Sequence, residues 1–151
     1  MKHAASTYRQ HAVEGASPLS LVVMLYDGAI AAISRAVTAL ESRDIEKKCA
    51  YLERALAIIC QLEGSLDFEK GGEVAQTLKK FYTHARSAVL QANIQNSKES
   101  LACLLEQFST VREAWARAER VVASSPPPAA KSGSPRERPL AEHVSSLRLS
   151  G

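Results

Sequence analysis

A chain of 151 residues with 46% hydrophobic content has room for one domain with an ordinary core, and 5% aromatics leave the packing to aliphatic side chains and alanine. The formal charge of +3 sits mostly near the C-terminus: residues 1 to 123 hold 15 Lys and Arg against 14 Asp and Glu, a balance that argues against a dedicated nucleic-acid surface or a polybasic membrane anchor. Cys49, Cys60 and Cys103 are an odd number without CxxC spacing, each in a helical pattern, and read as buried free thiols in a reducing compartment.

Residues 1 to 16 are polar, with Tyr8 and Val13 as the only large apolar anchors, and predict a flexible arm that cannot fold alone. No apolar h-region or small-residue cleavage site marks export, so the expected compartment is the cytoplasm. Ser17 followed by Pro18 is a helix start, with Ser as N-cap and Pro at the first helical position, where its missing amide hydrogen costs nothing. The first helix, about 18–42, has more apolar residues than one face can hold. Leu19, Val22, Val23, Tyr26, Ile30, Ile33, Val37 and Leu40 form one stripe, expected to hold the core. Leu21, Leu25, Ala29, Ala32, Ala36 and Ala39 form a second beside it. Asp27 is the one charged side chain from Pro18 to Ser34, so the second face must meet something other than water. Tyr26 and Met24 lie near the boundary between the two stripes. Asp27 has three readings: it caps a turn, pairs with a base such as Arg112, or contacts a partner backbone. Gly28, costing about 1 kcal/mol against Ala in a helix interior, suggests close approach by another backbone or side chain. Pro18, Gly28, Glu14 and Asp27 interrupt the apolar run, which favours a buried helix over membrane insertion.

Asp44 is positioned to cap a second helix, about 45–68, with Ile45, Cys49, Leu52, Leu56, Ile59, Leu62 and Leu66 on its apolar face. Glu69 to Gly72 read as a turn. A third helix, about 73–95, follows on Val74, Leu78, Phe81, Ala85, Ala88 and Ala92, with Tyr82 and Val89 at its edge. Asn96 and Ser97 break the chain before a fourth helix, about 98–122, in which Leu101, Leu104, Phe108, Val111, Trp115, Ala118 and Val122 repeat at heptad a and d. Four helices with short links and no strand-like alternation predict an all-α fold, an antiparallel four-helix bundle over residues 17–123. Residues 124–151 begin with five of the six prolines and read as a disordered tail; Leu140, Val144 and Leu147 within it give an amphipathic pattern too short for a free helix.

Chemistry is sparse. No His follows a Glu by three positions, so a di-metal bundle site is not expected and no metal ligand or cofactor site is assigned. GxxxxGK[ST], GxGxxG and GxSxG are missing. Phosphotransfer through His84 is the surviving enzymatic idea, but YTHARSAV lacks the small, glycine-bearing stretch that such domains place after the histidine. The chain is read as a non-enzyme.

Four separated segments then resemble the flagellin export chaperone family FliS. They are SPLSLVVMLYDGAI at 17–30 with Tyr8 nine residues before its serine, QANIQNS at 91–97, and VREAWARA at 111–118. Lys98, where an acidic residue is usual, and the long Pro-rich tail depart from the family pattern. The resemblance implies a cytoplasmic chaperone without enzymatic activity. It would hold the C-terminal segment of monomeric flagellin on an apolar surface, prevent premature polymerisation, and deliver the guest to the flagellar type III export apparatus. It also implies that the arm carrying Tyr8 folds over part of the groove when no guest is bound. The groove candidates are therefore Tyr8, Leu21, Leu25, Tyr26, Asp27, Gly28, Ala29 and Ala32. Flagellin and possible contact with the export apparatus are the expected partners, with neither nucleic acid nor membrane insertion, in a monomer or weak homodimer. A different secretion chaperone or adaptor bundle is the rival reading.

Overall fold

Each helix starts where a short polar side chain satisfies free amides. Ser17 takes an extended backbone and its hydroxyl accepts from the Ser20 amide at 3.1 Å, directly before Pro18. Asp44 accepts from the Lys47 amide, Asp67 from the Glu69 and Lys70 amides, and Ser97 from the Ser100 amide. The computed structural model describes residues 17–124, which form α1 (Pro18–Glu41), α2 (Ile45–Gly64), α3 (Phe68–Gln95) and α4 (Lys98–Ser124), with no strand among the described residues. The N-terminal arm with Tyr8 and the tail with Leu140, Val144 and Leu147 lie outside them.

The helices close into a ring in which α1 packs on α2 and α4, and α3 packs on the other side of both. Direction along α1 and α4 is fixed by three polar pairs: Ser20 with Glu119, Asp27 with Arg112, and Glu41 with Lys98. Numbers rise along one helix as they fall along the other, so the two are antiparallel, and connections of two or three residues impose the same alternation on the rest. The fold is an all-α four-helix bundle. By length and composition α1 could cross a membrane, yet Tyr26, Ala29, Ile33 and Ala36 on it are fully buried against its neighbours.

At the centre lies an aromatic cluster built around Tyr26. Its ring sits 5.4 Å from Phe108, 6.3 Å from Tyr82 and 6.5 Å from Trp115, all tilted, and Phe81 joins through Phe108 at 5.1 Å. The Tyr26 and Tyr82 hydroxyls are 2.8 Å apart, so each buried hydroxyl is the other's hydrogen-bond partner. Burial pushes both phenols well above their ordinary range.

Several faces are rotated from the sequence reading. On α2 the buried line is Lys48, Leu52, Ala55, Ile59 and Leu62, and Ile45 is exposed. Lys48 is tolerated inside because its ammonium donates to the Asn93 carbonyl at 3.0 Å and Asn96 Oδ1 at 2.7 Å, capping the C-terminal end of α3. On α3, Tyr82 and Val89 are central rather than peripheral. On α4, Leu101, Leu104, Phe108 and Val111 are buried, Trp115 is half-buried and Val122 is exposed. The second helix ends at Gly64 rather than near 68, and the link falls at 65–67 rather than 69–72, because Asp67 caps a helix that already starts at Phe68; the expected turn survives as a break inside that helix at Gly72, whose φ of +51° and ψ of −123° suit glycine. The thiols also differ from expectation. Cys49 is half-buried, but Cys60 and Cys103 project from the outer sides of their helices and are exposed.

Candidate functional site

The ring leaves one strip of α1 uncovered by a neighbouring helix. Between α1 and α2 runs an apolar groove with a volume of about 810 Å³. Its α1 wall is Pro18, Leu21, Val22, Met24, Leu25, Gly28, Ala31, Ala32 and Arg35; its α2 wall is Arg54, Ala57, Ile58, Gln61 and Ser65. From Pro18 to Arg35 this is about 25 Å of helix at 1.5 Å per residue, long enough to accept several turns of a guest helix.

Gly28 forms the floor. A Cβ built on it would lie 3.2 Å from Ile58 Cδ1, tighter than ordinary van der Waals contact. The close approach suggested by the sequence is thus made by a side chain of α2. The wall residues Leu21, Val22, Leu25 and Ile58 are half-buried, and Met24 is 40% exposed. A row of partly wetted aliphatic side chains along a concave surface is what an amphipathic helix needs to bury its own anchors.

The structure divides the sequence candidates. Leu21, Leu25, Gly28 and Ala32 come together on the groove, Ala32 as part of its wall although itself almost fully buried. Tyr26 and Ala29 do not belong to that surface: both are completely buried in the core. The expectation placed the Leu21 to Ala39 stripe wholly outside. In fact Ala29, Ala36 and Ala39 lie inside, because α1 is clasped on two sides and its small residues face the bundle centre. The open strip is turned the other way, towards Met24 and Ala31. Asp27 faces α4 rather than the groove, with Arg112 Nε at 2.8 Å and Nη2 at 3.5 Å from its two oxygens. The hydrogen bond it donates to Asp27, reinforced by one to Glu113 at 3.0 Å, raises the Arg112 guanidinium above its usual range. This is the structural pairing with Arg112, so Asp27 aligns α1 with α4. Tyr8 lies outside the described residues.

The α2 wall was missed from the sequence. Arg54, Ile58, Gln61 and Ser65 recur at intervals of four, three and four, a second face beside the core line of α2, but Ile58 is the one apolar residue among these four and the apolar periodicity used on α1 does not mark it. Among the described residues no cluster of His, Cys, Asp and Glu could hold a metal ion. His84 is exposed on α3, away from the groove.

Comparison with known proteins gives one consistent result. A family model described as flagellar protein FliS matches residues 1–122. The flagellar secretion chaperone FliS of Campylobacter jejuni is 34% identical over 112 residues, covering 74% of this chain and 88% of that protein. That of Salmonella typhimurium is 39% identical over 107 residues, 70% and 79% of the two chains. That of Bacillus subtilis is 32% identical over 113 residues, 75% and 84%.

Proposed function

Since the chain belongs to the FliS family of flagellar proteins, we propose that it is a flagellin export chaperone whose α1–α2 groove receives the C-terminal segment of monomeric flagellin. The observation that carries this reading is the groove itself: apolar, about 25 Å long, lined by no Asp or Glu, and left without a covering helix. A guest helix lays side chains at i, i+3, i+4 and i+7 along Leu21, Leu25, Gly28 and Ala32, where they replace water on both surfaces.

The role is mechanical rather than catalytic. Covering the apolar stripe of a flagellin segment removes the surface through which monomers associate, so the guest stays monomeric in the cytoplasm until it reaches the flagellar type III export apparatus. Ordering the guest offsets much of the apolar gain, and binding remains reversible. The test is co-purification of flagellin with the full chain. Capture that disappears when the C-terminal segment of flagellin is deleted supports the assignment; capture that survives the deletion refutes it and favours an adaptor for another part of the filament.

A further inference from the structure

The groove is apolar along its length but not electrically symmetric. Gly28 and Ile58 face each other across it, which sets the register of the antiparallel helices α1 and α2. Arg35 lies seven residues past Gly28 and Arg54 four before Ile58, so both belong to the same end, opposite Pro18 and Ser65. Along the helix axes that places them about 10 Å and about 6 Å beyond the Gly28–Ile58 contact. No Asp or Glu lines the groove. Arg86 and Arg112 are engaged by Glu63, Asp27 and Glu113, whereas Arg35 and Arg54 make no ion pair with any described residue. Glu53, beside Arg54 in sequence, is not part of the wall.

Two guanidiniums bordering an apolar surface, without a carboxylate from their own fold, form a planar donor set suited to one. We propose that Arg35 and Arg54 read a carboxylate at the C-terminal end of the guest helix and thereby fix the direction in which it lies, parallel to α1. The proposal rests on the groove being the guest's seat. The negative end of the guest's helix dipole then falls at the cationic end of the groove, and its other end lies beside the neutral stretch at Pro18. The carboxylate is supplied either by an Asp or Glu in the last helical turn or by the terminal carboxyl group. Reversed binding brings the positive end of the guest dipole against two arginines, so the groove selects direction as well as apolar pattern.

The test uses the full chain and fluorescein-labelled amphipathic helical peptides of about five turns, with leucines at i, i+3, i+4 and i+7. One has Glu in the last turn and an amidated C-terminus, a second has Gln there and the amide, and a third has Gln and a free carboxylate. By fluorescence anisotropy at low salt, a carboxylate-bearing peptide should bind about three- to tenfold more tightly than the neutral one. That advantage should vanish in Arg35→Gln/Arg54→Gln and at about 1 M NaCl, where the screening length falls to roughly 3 Å. Arg35→Glu/Arg54→Glu should instead prefer a peptide with Lys in the last turn. Both arginines are exposed, so neither variant should shift the thermal midpoint. A gain for one carboxylate peptide alone supports the proposal and identifies the source. Equal affinity of all three for the native chain overturns it while leaving the groove reading intact. Binding by none overturns the groove reading and this proposal with it.

Discussion

Substituting Gly28 separates the groove from the core because folding and guest binding should respond differently. In a helix interior Ala is favoured over Gly by about 1 kcal/mol. Opposing this, the new Cβ would stand 3.2 Å from Ile58 Cδ1, and Ile58 must retreat by a few tenths of an ångström. Ile58 is half-buried and its terminal methyl borders open groove, so it can yield. The two terms nearly cancel, and Gly28→Ala should stay within about 1 kcal/mol of the native stability, a shift of no more than about 4–8 °C. Binding has no compensating term. The added methyl and the displaced Ile58 fill the floor where a guest side chain would sit, and overpacking of about 1–3 kcal/mol corresponds to a loss of roughly 5- to 150-fold in affinity. Thermal melts and titration with a flagellin C-terminal peptide measure the two quantities on one sample. Destabilisation by more than about 2 kcal/mol with unchanged affinity would make Gly28 a core contact and refute the reasoning.

The Tyr26–Tyr82 pair makes a second prediction. Tyr82→Phe leaves the Tyr26 hydroxyl buried without its partner at a cost of about 1–3 kcal/mol, and Tyr26→Phe/Tyr82→Phe should cost less than the two single changes summed, measurable by urea denaturation. Both phenols titrate above their unfolded value of about 10, so the unfolded chain loses its protons first. The stability they contribute is complete below about pH 10 and declines as pH rises towards the folded values; the doubly substituted chain should show a shallower alkaline decline in its urea midpoint. Gly72→Ala should destabilise by about 1–3 kcal/mol, because φ +51° with ψ −123° is strained for any residue with a Cβ; a melt unchanged from native would contradict the kink geometry. Asp27→Asn should lower stability by at most about 1 kcal/mol and leave guest affinity intact, since its partner is Arg112 on α4; abolished binding would return Asp27 to the site.

Local signals in this chain were legible and phase was not. Ser17–Pro18 and Asp44 announced their helices because capping is decided within four residues, and the structure places their side chains on the amides expected. The excess of apolar residues on α1 likewise pointed to an uncovered surface. Which strip stays open depends on two neighbours far away in sequence. Tyr26 goes inward because Tyr82 satisfies its hydroxyl, and Ala29 goes inward because small residues let α1 sit at the bundle centre. Lys48 is buried because Asn93 and Asn96 await it at the end of α3, a long-range arrangement that periodicity alone would assign to the surface. Cys60 and Cys103 were misplaced for the related reason that an apolar neighbourhood in sequence need not be one in space. The α2 wall is different: Ile58 is the one apolar residue among Arg54, Ile58 and Gln61, and only contact with α1 makes them one surface.

The central claim, that the α1–α2 groove seats the C-terminal segment of flagellin, is tested most directly by methyl NMR of the full chain titrated with that segment. The account predicts shifts concentrated at Leu21, Val22, Leu25 and Ile58, lost together with binding in a folded Leu25→Glu chain. Shifts confined to α3 and α4, or undiminished binding by Leu25→Glu, would contradict it.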